Sequence, residues 1–457
     1  SRFYRNFTDD DTRIAIIEVG GTVGDIESQP FLEAIRQFRH EIGYQNSVLI
    51  HVTLVPYLKA SGELKTKPTQ QSVKALQGMG IFPDVIVCRT EVPLEDGIES
   101  KIALFCNVPE DHVLQNLDVE YLYEAPLAME KERLAQVVCE CLNIPCPEPQ
   151  LGDWKQMVDA LKNPTSEVTI ALVGKYIQLH DAYLSVMEAL KHGGIANRTK
   201  VSIKWVDSEF LTPEILDDTF AGVDGIIIPG GFGSRGTEGM ILAANYAREN
   251  KIPFLGICLG MQMAMVAFAR NVLGYEDANS SELNPDTTHP VVDLMPDQNG
   301  IENLGGTLRL GSYPCVLDKK SKAYALYGTE LINERHRHRF EINNHYRDDF
   351  TSHGMMISGQ SPDGHIVEMI ELPDHPFYVG IQAHPELKSR PNHAHPLFAG
   401  FVESAEEQGV LRRAKLLMKR NHLSEPEAHR YLQKTSMDTG RTMTESAHMV
   451  TMLIHED

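Results

Sequence analysis

Short apolar runs rich in β-branched residues alternate with longer segments of helical period along most of the chain. The runs bounded by turn residues predict buried strands, and the amphipathic segments between them predict helices. Strand and helix in alternation favour right-handed βαβ units with largely parallel sheets, and hence an α/β fold. The predicted strands are residues 14–19, 48–55, 85–88, 168–173, 201–206, 225–228 and 253–257, and the predicted helices of the first part are 31–40, 71–79 and 129–142.

Composition shifts divide the chain into parts. A proline-rich stretch at 145–149 is typical of a stiff boundary segment. We therefore predict a first α/β domain at 1–148, a linker at 149–167 that contains a helical pattern, a second α/β domain at 168–405, and a small all-α helical unit at 409–457.

Composition places the chain among globular proteins. Its 457 residues are 42% hydrophobic and 23% charged, and the length suggests about three domains. The net charge of −21 argues against a nucleic-acid coat or a membrane-surface protein, so an anionic ligand requires a local basic pocket. No apolar run approaches the roughly 20 residues of a membrane span. Seven scattered cysteines without an export signal predict free thiols and a reducing cytoplasm.

The sharpest chemical signal is the sequence GICLG at 256–260, between an apolar strand and a helical pattern. This is the nucleophile-elbow pattern with Cys258 in place of serine. The turn is tight, so small residues flank the nucleophile, and the N-terminus of the following helix stabilises a thiolate. In isolation, a buried structural cysteine is an equally good interpretation.

Two further segments favour the catalytic interpretation. The glycine turn PGGFG at 229–233 follows a strand, and its N–H groups, with that of Leu259, can form an oxyanion hole. In GIQAHPE at 380–386, His384 and Glu386 share one face of an extended chain. His384 can then take the thiol proton while Glu386 holds the imidazole tautomer. A packed, satisfied histidine is the alternative for His384.

These segments together resemble the class I glutamine amidotransferase family over about 168–405. The resemblance implies that the cysteine is acylated by glutamine, that ammonia leaves, and that water releases glutamate. It assigns the nucleophile to Cys258, the proton carrier to His384 and the orienting carboxylate to Glu386. The glutamine contacts it implies are Gly231, Leu259, Gly260, Met261, Gln262, Glu282 and Arg339.

Two other patterns in this region have competing explanations. The run RHRHR at 335–339 ends in Arg339, whose guanidinium can pair with a substrate carboxylate. A solvated strand face is the alternative, and a metal site is disfavoured because neighbouring guanidinium groups repel a cation. The Gly-x-Gly-x-x-Gly pattern at 231–236 lacks the acidic residue about 20 positions later that a dinucleotide site requires.

The first domain carries signals for a nucleotide. The sequence EVGGTVGDIES at 18–28 places Glu18 at the end of a predicted strand, before a glycine-rich turn, where a carboxylate suits Mg²⁺ on a nucleotide. The loop at 59–70 ends in KTKPTQ, where two lysines, two hydroxyls and a helix N-terminus suit a triphosphate. A mobile solvated loop is the alternative. No Gly-x-x-x-x-Gly-Lys-Ser/Thr motif occurs in the chain.

These motifs and the amidotransferase segment resemble the CTP synthase family over about 1–405. The resemblance implies that ATP phosphorylates UTP and that ammonia from glutamine displaces the phosphate. It also implies a partial P-loop-type amidoligase domain, Mg²⁺ on Glu18, GTP as allosteric activator, CTP as feedback inhibitor and a homotetramer. It places adenine near Leu117, Asp118 and Val119. The UTP and CTP contacts it implies are Asp25, Ile26, Glu27, Lys65, Thr66, Lys67, Pro68, Thr69, Gln70 and Lys101.

Members of that family carry a further segment with a phosphate loop before the point that corresponds to Ser1. We therefore expect that the polypeptide as printed does not make CTP unaided, whereas its glutaminase half folds and reacts.

The tail has a helical pattern and a positive balance of charge. It resembles the ANTAR family of bacterial antitermination regulators, which implies binding to paired RNA stem-loops through basic side chains. A C-terminal helical cap and a joining of two reading frames are the alternatives. For the whole chain, two other functions stay open: a glutaminase that serves another acceptor, and an RNA-binding regulator whose enzyme-like halves act as sensors.

Overall fold

A computed structural model describes residues 14–175, 177, 179–294, 309–421, 427, 430 and 434. The chain divides into two compact units, Ser1–Lys155 and Gln156–Asp457. Of the predicted helical unit at 409–457, the structure describes residues 409–421, 427, 430 and 434, so most of that unit lies outside the described residues.

The first unit is built on a three-stranded parallel sheet with the strand order β1-β4-β5. The central strand β4 begins with four apolar residues that are all buried, as a strand covered on both faces requires. A short hairpin of β2 and β3 contains the first part of the basic loop at 59–70. The strands are β1 (Ile50–Leu54), β2 (Tyr57–Leu58), β3 (Glu63–Leu64), β4 (Val85–Thr90) and β5 (Val113–Leu117), and the helices are α1 (Gln29–Ile42), α2 (Lys67–Gly78), α3 (Ile98–Cys106), α4 (Ala125–Lys131) and α5 (Leu134–Leu142). Helix α6 (Gly152–Lys162) runs across the boundary into the second unit.

Two predictions for this unit are wrong. Residues 14–19 form no strand: their backbone is irregular and Ile16 is 95% exposed. A β-branched run becomes a strand only when a neighbour pairs with it, and no described strand does so here. The predicted helix at 129–142 is two helices, because Arg133 adopts a left-handed φ of 61° that interrupts the helical hydrogen bonds. Helix α6 fills much of the segment proposed as a linker at 149–167.

The second unit is built on a nine-stranded sheet with the order β13-β12-β15-β16-β17-β9-β8-β6-β7. One half of this sheet is parallel and contains the five strands β17, β9, β8, β6 and β7. The other strand pairs of the sheet are antiparallel. The strands are β6 (Ser166–Gly174), β7 (Thr199–Asp207), β8 (Gly225–Ile228), β9 (Phe254–Ile257), β10 (Asn279–Ser280), β11 (Pro290–Asp293), β12 (Arg309–Leu317), β13 (Leu331–His338), β14 (Glu341–Ile342), β15 (Met356–Gln360), β16 (Val367–Glu371) and β17 (Tyr378–Ile381). The helices are α7 (Leu184–Ala196), α8 (Leu216–Phe220), α9 (Thr237–Glu249), α10 (Leu259–Phe268), α11 (Lys322–Tyr327), α12 (Arg347–Ser352) and α13 (Pro396–Asn421).

Helices pack on both faces of this sheet and enclose two apolar cores. Strands β8, β9 and β17 are buried along their whole length, so they form a rigid base for the loops at their carboxyl ends. The predicted α/β class with largely parallel sheets is confirmed. Among the described residues, no helix has both the length and the apolar character that a membrane span requires.

Helix α13 closes this unit and continues beyond residue 405, the predicted end of the domain. Phe401 and Val402 are completely buried in the unit. Further along the helix, Arg412 forms a 2.7 Å ion pair with the buried Asp224 and donates a hydrogen bond to the Val223 carbonyl. The segment that enters the predicted tail is therefore anchored on the amidotransferase-like unit.

Candidate active site

The tight turn between β9 and α10 carries Cys258 in a strained conformation, with φ 52° and ψ −104°. Such a backbone is costly for a residue with a side chain and occurs where the surroundings hold it. A Cβ on Gly260 would lie 2.0 Å from the Ile228 carbonyl oxygen, and one on Gly256 would lie 2.8 Å from the Gly260 backbone. Only glycine fits at either position, so the spacing of the two glycines fixes the elbow.

The structure brings Cys258, His384 and Glu386 together. His384 Nδ1 lies 2.7 Å from Glu386 Oε1, and Glu386 is buried. A Cβ built on Gly230 would meet both the imidazole Cε1, at 2.8 Å, and the Cys258 Cβ, at 3.5 Å. The ring and the nucleophile thus flank the same glycine. His384 Nε2 is buried and has no nitrogen or oxygen partner among the described groups, so the Cys258 sulfur is the group with which it interacts.

Backbone hydrogen bonds hold the two halves of this arrangement. The Cys258 N–H donates to the Ile381 carbonyl at 2.7 Å, which ties the elbow to the end of β17. The His384 N–H donates to the Arg335 carbonyl, also at 2.7 Å. The nucleophile and the imidazole are therefore carried by adjacent parallel strands whose carboxyl ends meet at one edge of the sheet.

Burial by itself would lower the pKa of His384. The Cys258 sulfur and then the Glu386 carboxylate act in the opposite direction and dominate, so the pKa of His384 lies well above the usual imidazole range. The ring is consequently protonated at neutral pH, between two groups that stabilise its positive charge. This arrangement supplies a proton for a leaving amine.

The raised pKa of His384 predicts how stability depends on pH. A group whose pKa is raised on folding stabilises the folded state in full at pH values below its unfolded pKa, about 6.5 for histidine. This stabilisation is lost as the pH rises through the pKa of the folded state. We expect Glu386→Gln to lower Tm by about 5 °C at pH 6, and this difference to shrink by pH 9. Thermal unfolding of both proteins from pH 6 to 9 measures it. The control Glu330→Gln removes an exposed ion pair with Lys319 and should change Tm little at any pH; a Glu386→Gln difference that grows with pH would contradict the assignment.

The glycine turn after β8 lies against the first turn of α10. A Cβ on Gly231 would lie 3.4 Å from Leu259 Cδ2, so the N–H groups of these two residues belong to one small region. Lys175, at the end of β6, is buried, and its Nζ donates to the carbonyls of Phe232 and Gly233. Lys175 thereby fixes the turn that contributes Gly231 to the candidate oxyanion hole.

Charged side chains gather beside this turn. Partial desolvation raises the pKa of Glu282, an effect that the positive charges of Arg339 and then Lys175 oppose. Burial lowers the pKa of Lys175 to about 8. The negative charge of Glu282 opposes this effect, and the positive charge of Arg235 adds to it. Glu282 therefore interacts electrostatically with both Arg339, another expected glutamine contact, and Lys175.

Two expected glutamine contacts are largely occupied inside the protein. The Met261 side chain is completely buried in the core, so only its backbone can reach a substrate. Gln262 Nε2 donates to the Phe340 carbonyl at 2.9 Å and to Gln382 Oε1 at 3.2 Å, which leaves Oε1 to accept from a ligand. Gly260 is fixed by its backbone contact with Ile228 and has no side chain to offer.

The nucleotide residues of the basic loop lie at the start of α2. Lys67 is exposed and its Nζ lies 6.0 Å from the centre of the Phe105 ring, which brings this helix start to α3, the helix of Lys101. Lys65 forms an ion pair with Glu63. Other members are structural: Thr69 is completely buried and donates to the Leu54 carbonyl. The remaining members of the set have varied exposure: Pro68 and Lys101 are exposed, Gln70 is half-buried, and Thr66 is buried.

The other nucleotide residues lie on exposed loops. Asp25 Oδ2 accepts from the Thr22 N–H at 3.1 Å, which closes the turn that carries the exposed Ile26 and Glu27. Asp118 follows β5 and pairs with Arg89 at 2.7 Å, both half-exposed, and its neighbours Leu117 and Val119 are also partly exposed.

The expected Mg²⁺ ligand, Glu18, is exposed to solvent. The described residues contain no group of three His, Cys, Asp or Glu side chains that could hold a metal. A single carboxylate still fits Mg²⁺, which proteins usually bind through one or two carboxylates together with nucleotide phosphates and water.

Curated relatives decide the family. The chain is 58% identical to a CTP synthase of Clostridium beijerinckii over 407 residues, which are 89% of this chain and 76% of the relative. It is 59% identical to a CTP synthase of Ruminiclostridium cellulolyticum over 406 residues, with the same shares. The chain belongs to the CTP synthase family. It spans about three quarters of the length of these two relatives.

Family models and a solved structure match parts of this CTP synthase chain. The CTP synthase N-terminus family matches residues 2–144, the class-I glutamine amidotransferase family matches 178–404, and the ANTAR domain family matches 401–450. A structure described as the glutaminase domain of Trypanosoma brucei CTPS with bound acivicin is 38% identical, with a TM-score of 0.50, over 52% of this chain and 94% of that one.

Sequence reasoning gave no role to two residues at the site, Lys175 and Gln382. Lys175 directly follows a buried strand, and the carboxyl ends of parallel strands are where α/β proteins bind ligands, so this position was open to prediction. Gln382 lies two residues before His384 and its role depends on a contact with Cys258, 124 residues away. No local pattern signals such a contact.

Proposed function

We propose that this chain is a glutamine-dependent CTP synthase that uses UTP, ATP and glutamine as substrates. The observation that carries the proposal is the geometry of Cys258, His384 and Glu386 on a strained elbow within a chain 58% identical to a CTP synthase. In this family the glutaminase supplies ammonia to the ligase reaction.

The glutaminase reaction begins with attack of the Cys258 sulfur anion on the side-chain amide carbon of glutamine. The N–H groups of Gly231 and Leu259 support the oxyanion of the tetrahedral intermediate. The intermediate collapses as the C–N bond breaks, and His384 gives its proton to the leaving ammonia. Water then attacks the thioester while His384 takes one of its protons, and glutamate leaves with the sulfur restored as the anion.

Glutamine is held beside this nucleophile by its charged ends. Arg339 suits the α-carboxylate, because a guanidinium pairs with a carboxylate by two hydrogen bonds. Glu282 suits the α-ammonium, and its carboxyl interacts electrostatically with Arg339. Each charged end of the substrate would thus meet a side chain of opposite charge.

The nucleotides bind on the first unit. Basic side chains at Lys65, Lys67 and Lys101 suit the phosphates of UTP, and the segment 117–119 at the end of β5 suits the ATP base. Glu18 would hold Mg²⁺, which neutralises phosphate charge when it is bound. We further propose GTP as activator, CTP as feedback inhibitor, a homotetramer and a cytoplasmic location, on the basis of the family alone.

Two measurements on the full chain test the proposal: UTP binding by calorimetry and release of glutamate from glutamine. We expect both, with glutamate release dependent on Cys258. Glutamate release without UTP binding would instead indicate a glutaminase that serves another acceptor. If neither occurs, even with GTP present, the synthase proposal is wrong.

A second function is RNA binding by the C-terminal region, supported by the match of the ANTAR family to residues 401–450. Contacts with RNA phosphates release counterions, so affinity should fall steeply with salt. We expect the full chain to shift a paired stem-loop RNA on a native gel at about 50 mM salt, and the shift to weaken at about 200 mM. A chain ended after Asn421 is the control and should not shift the RNA. The absence of a shift at low salt would exclude this function.

A further inference from the structure

Gln382 is a completely buried residue that follows β17 and precedes the His384 segment. Its side-chain Nε2 lies 3.7 Å from the Cys258 sulfur, within the range of an N–H···S hydrogen bond. Its backbone N–H donates to the Glu368 carbonyl at 2.9 Å, which fixes the residue to β16. A rigid amide donor therefore faces the atom that attacks glutamine.

The surrounding hydrogen bonds determine which end of this amide faces the sulfur. Gln262 Nε2 donates to Gln382 Oε1 at 3.2 Å and to the Phe340 carbonyl at 2.9 Å. Because Gln262 needs acceptors for both of its amide hydrogens, the oxygen of Gln382 points toward Gln262 and its nitrogen toward Cys258. The reverse orientation would place an oxygen against the sulfur and two amide nitrogens against each other.

We propose that Gln382 is a catalytic residue that donates a hydrogen bond to the sulfur anion of Cys258, with Gln262 as the residue that holds it in position. The inference rests on the proposed role of Cys258 as nucleophile. The attacking form of a cysteine nucleophile is the anion, and negative charge returns to the sulfur when water breaks the thioester. A buried, oriented N–H donor stabilises that charge in both steps without reorganisation.

Alkylation of Cys258 by iodoacetamide tests the proposal, because the anion is the reactive form and no substrate is needed. The rate is followed by mass spectrometry of the Cys258 peptide from the full chain. Gln382→Met has a similar volume and lacks the donor, so we expect the rate at pH 7 to fall about fivefold and kcat for glutamine to fall with it. The matched control is Gln360→Met, which removes a half-buried amide that accepts from Arg347 in the same unit and should leave the rate unchanged.

Gln382→Glu supplies a readout that a purely structural role would not give. Its carboxyl can still accept from Gln262, and when protonated it can donate to the sulfur. When it ionises, its charge repels the sulfur anion. The deficit of this variant relative to the parent should therefore grow as pH rises from 6 to 9.

The outcomes separate this inference from the proposed function. Folded Gln382→Met and Gln382→Glu variants that react at the rate of the parent across this range would overturn the role of Gln382. The same result would leave the function standing if Cys258→Ala abolishes glutamine hydrolysis. Hydrolysis that survives in Cys258→Ala would overturn the nucleophile assignment itself.

Discussion

Cys258→Ala should reduce glutamine hydrolysis at least about a thousandfold, because no other group can form the thioester at the elbow. The fold should persist: the side chain is small, and the backbone hydrogen bond to Ile381 does not depend on it. Glutamate release at saturating glutamine measures the loss, and circular dichroism verifies the fold.

Cys315→Ala is the matched control for this loss. Cys315 is buried in the same unit, and burial raises the pKa of its thiol far above the usual range, so it is not a nucleophile at neutral pH. Its removal should cost some stability and leave glutamine hydrolysis intact. Equal activity in the parent and Cys258→Ala, or a loss in Cys315→Ala alone, would move the nucleophile elsewhere.

Gly260→Ala should have the second-largest effect. The new Cβ would lie 2.0 Å from the Ile228 carbonyl oxygen, so α10 must move away from the end of β8. That movement separates the Leu259 N–H from the turn that carries Gly231. We expect glutamine hydrolysis to fall at least about a hundredfold and the protein to lose about 3 kcal/mol of stability.

Gly152→Ala provides the comparison, because a Cβ at Gly152 meets nothing within 4 Å. Urea unfolding and glutamate release measured on both variants separate a general effect of alanine from a clash at the elbow. A Gly260→Ala protein with the stability and activity of the parent would show that the elbow is not as tight as the contacts indicate.

The sequence predicted the elements whose causes are local. Strand β8 has the predicted bounds, since its apolar run is short and flanked by an acidic residue and a glycine turn. The elbow also follows from local sterics, because both glycines are required by backbone contacts. The interpretation of 14–19 as a strand failed because strand formation depends on a partner elsewhere in the chain.

The parts of the site that sequence reasoning did not reach depend on long-range contacts. Lys175 acts on a turn more than 50 residues later, and Gln382 meets the sulfur across 124 positions. The break at Arg133 is different, because a single left-handed residue interrupts a pattern whose period continues on both sides. Hydrophobic periodicity reports which face is buried, and it does not report where the backbone turns.

The most direct test of the account is to identify the covalent intermediate. The full chain is mixed with glutamine, quenched in acid within one turnover, digested and analysed by mass spectrometry. We predict a glutamyl thioester on the peptide that contains Cys258, and no adduct in Cys258→Ala. A glutamyl adduct on a different residue, or continued ammonia release by Cys258→Ala without any adduct, would contradict the account.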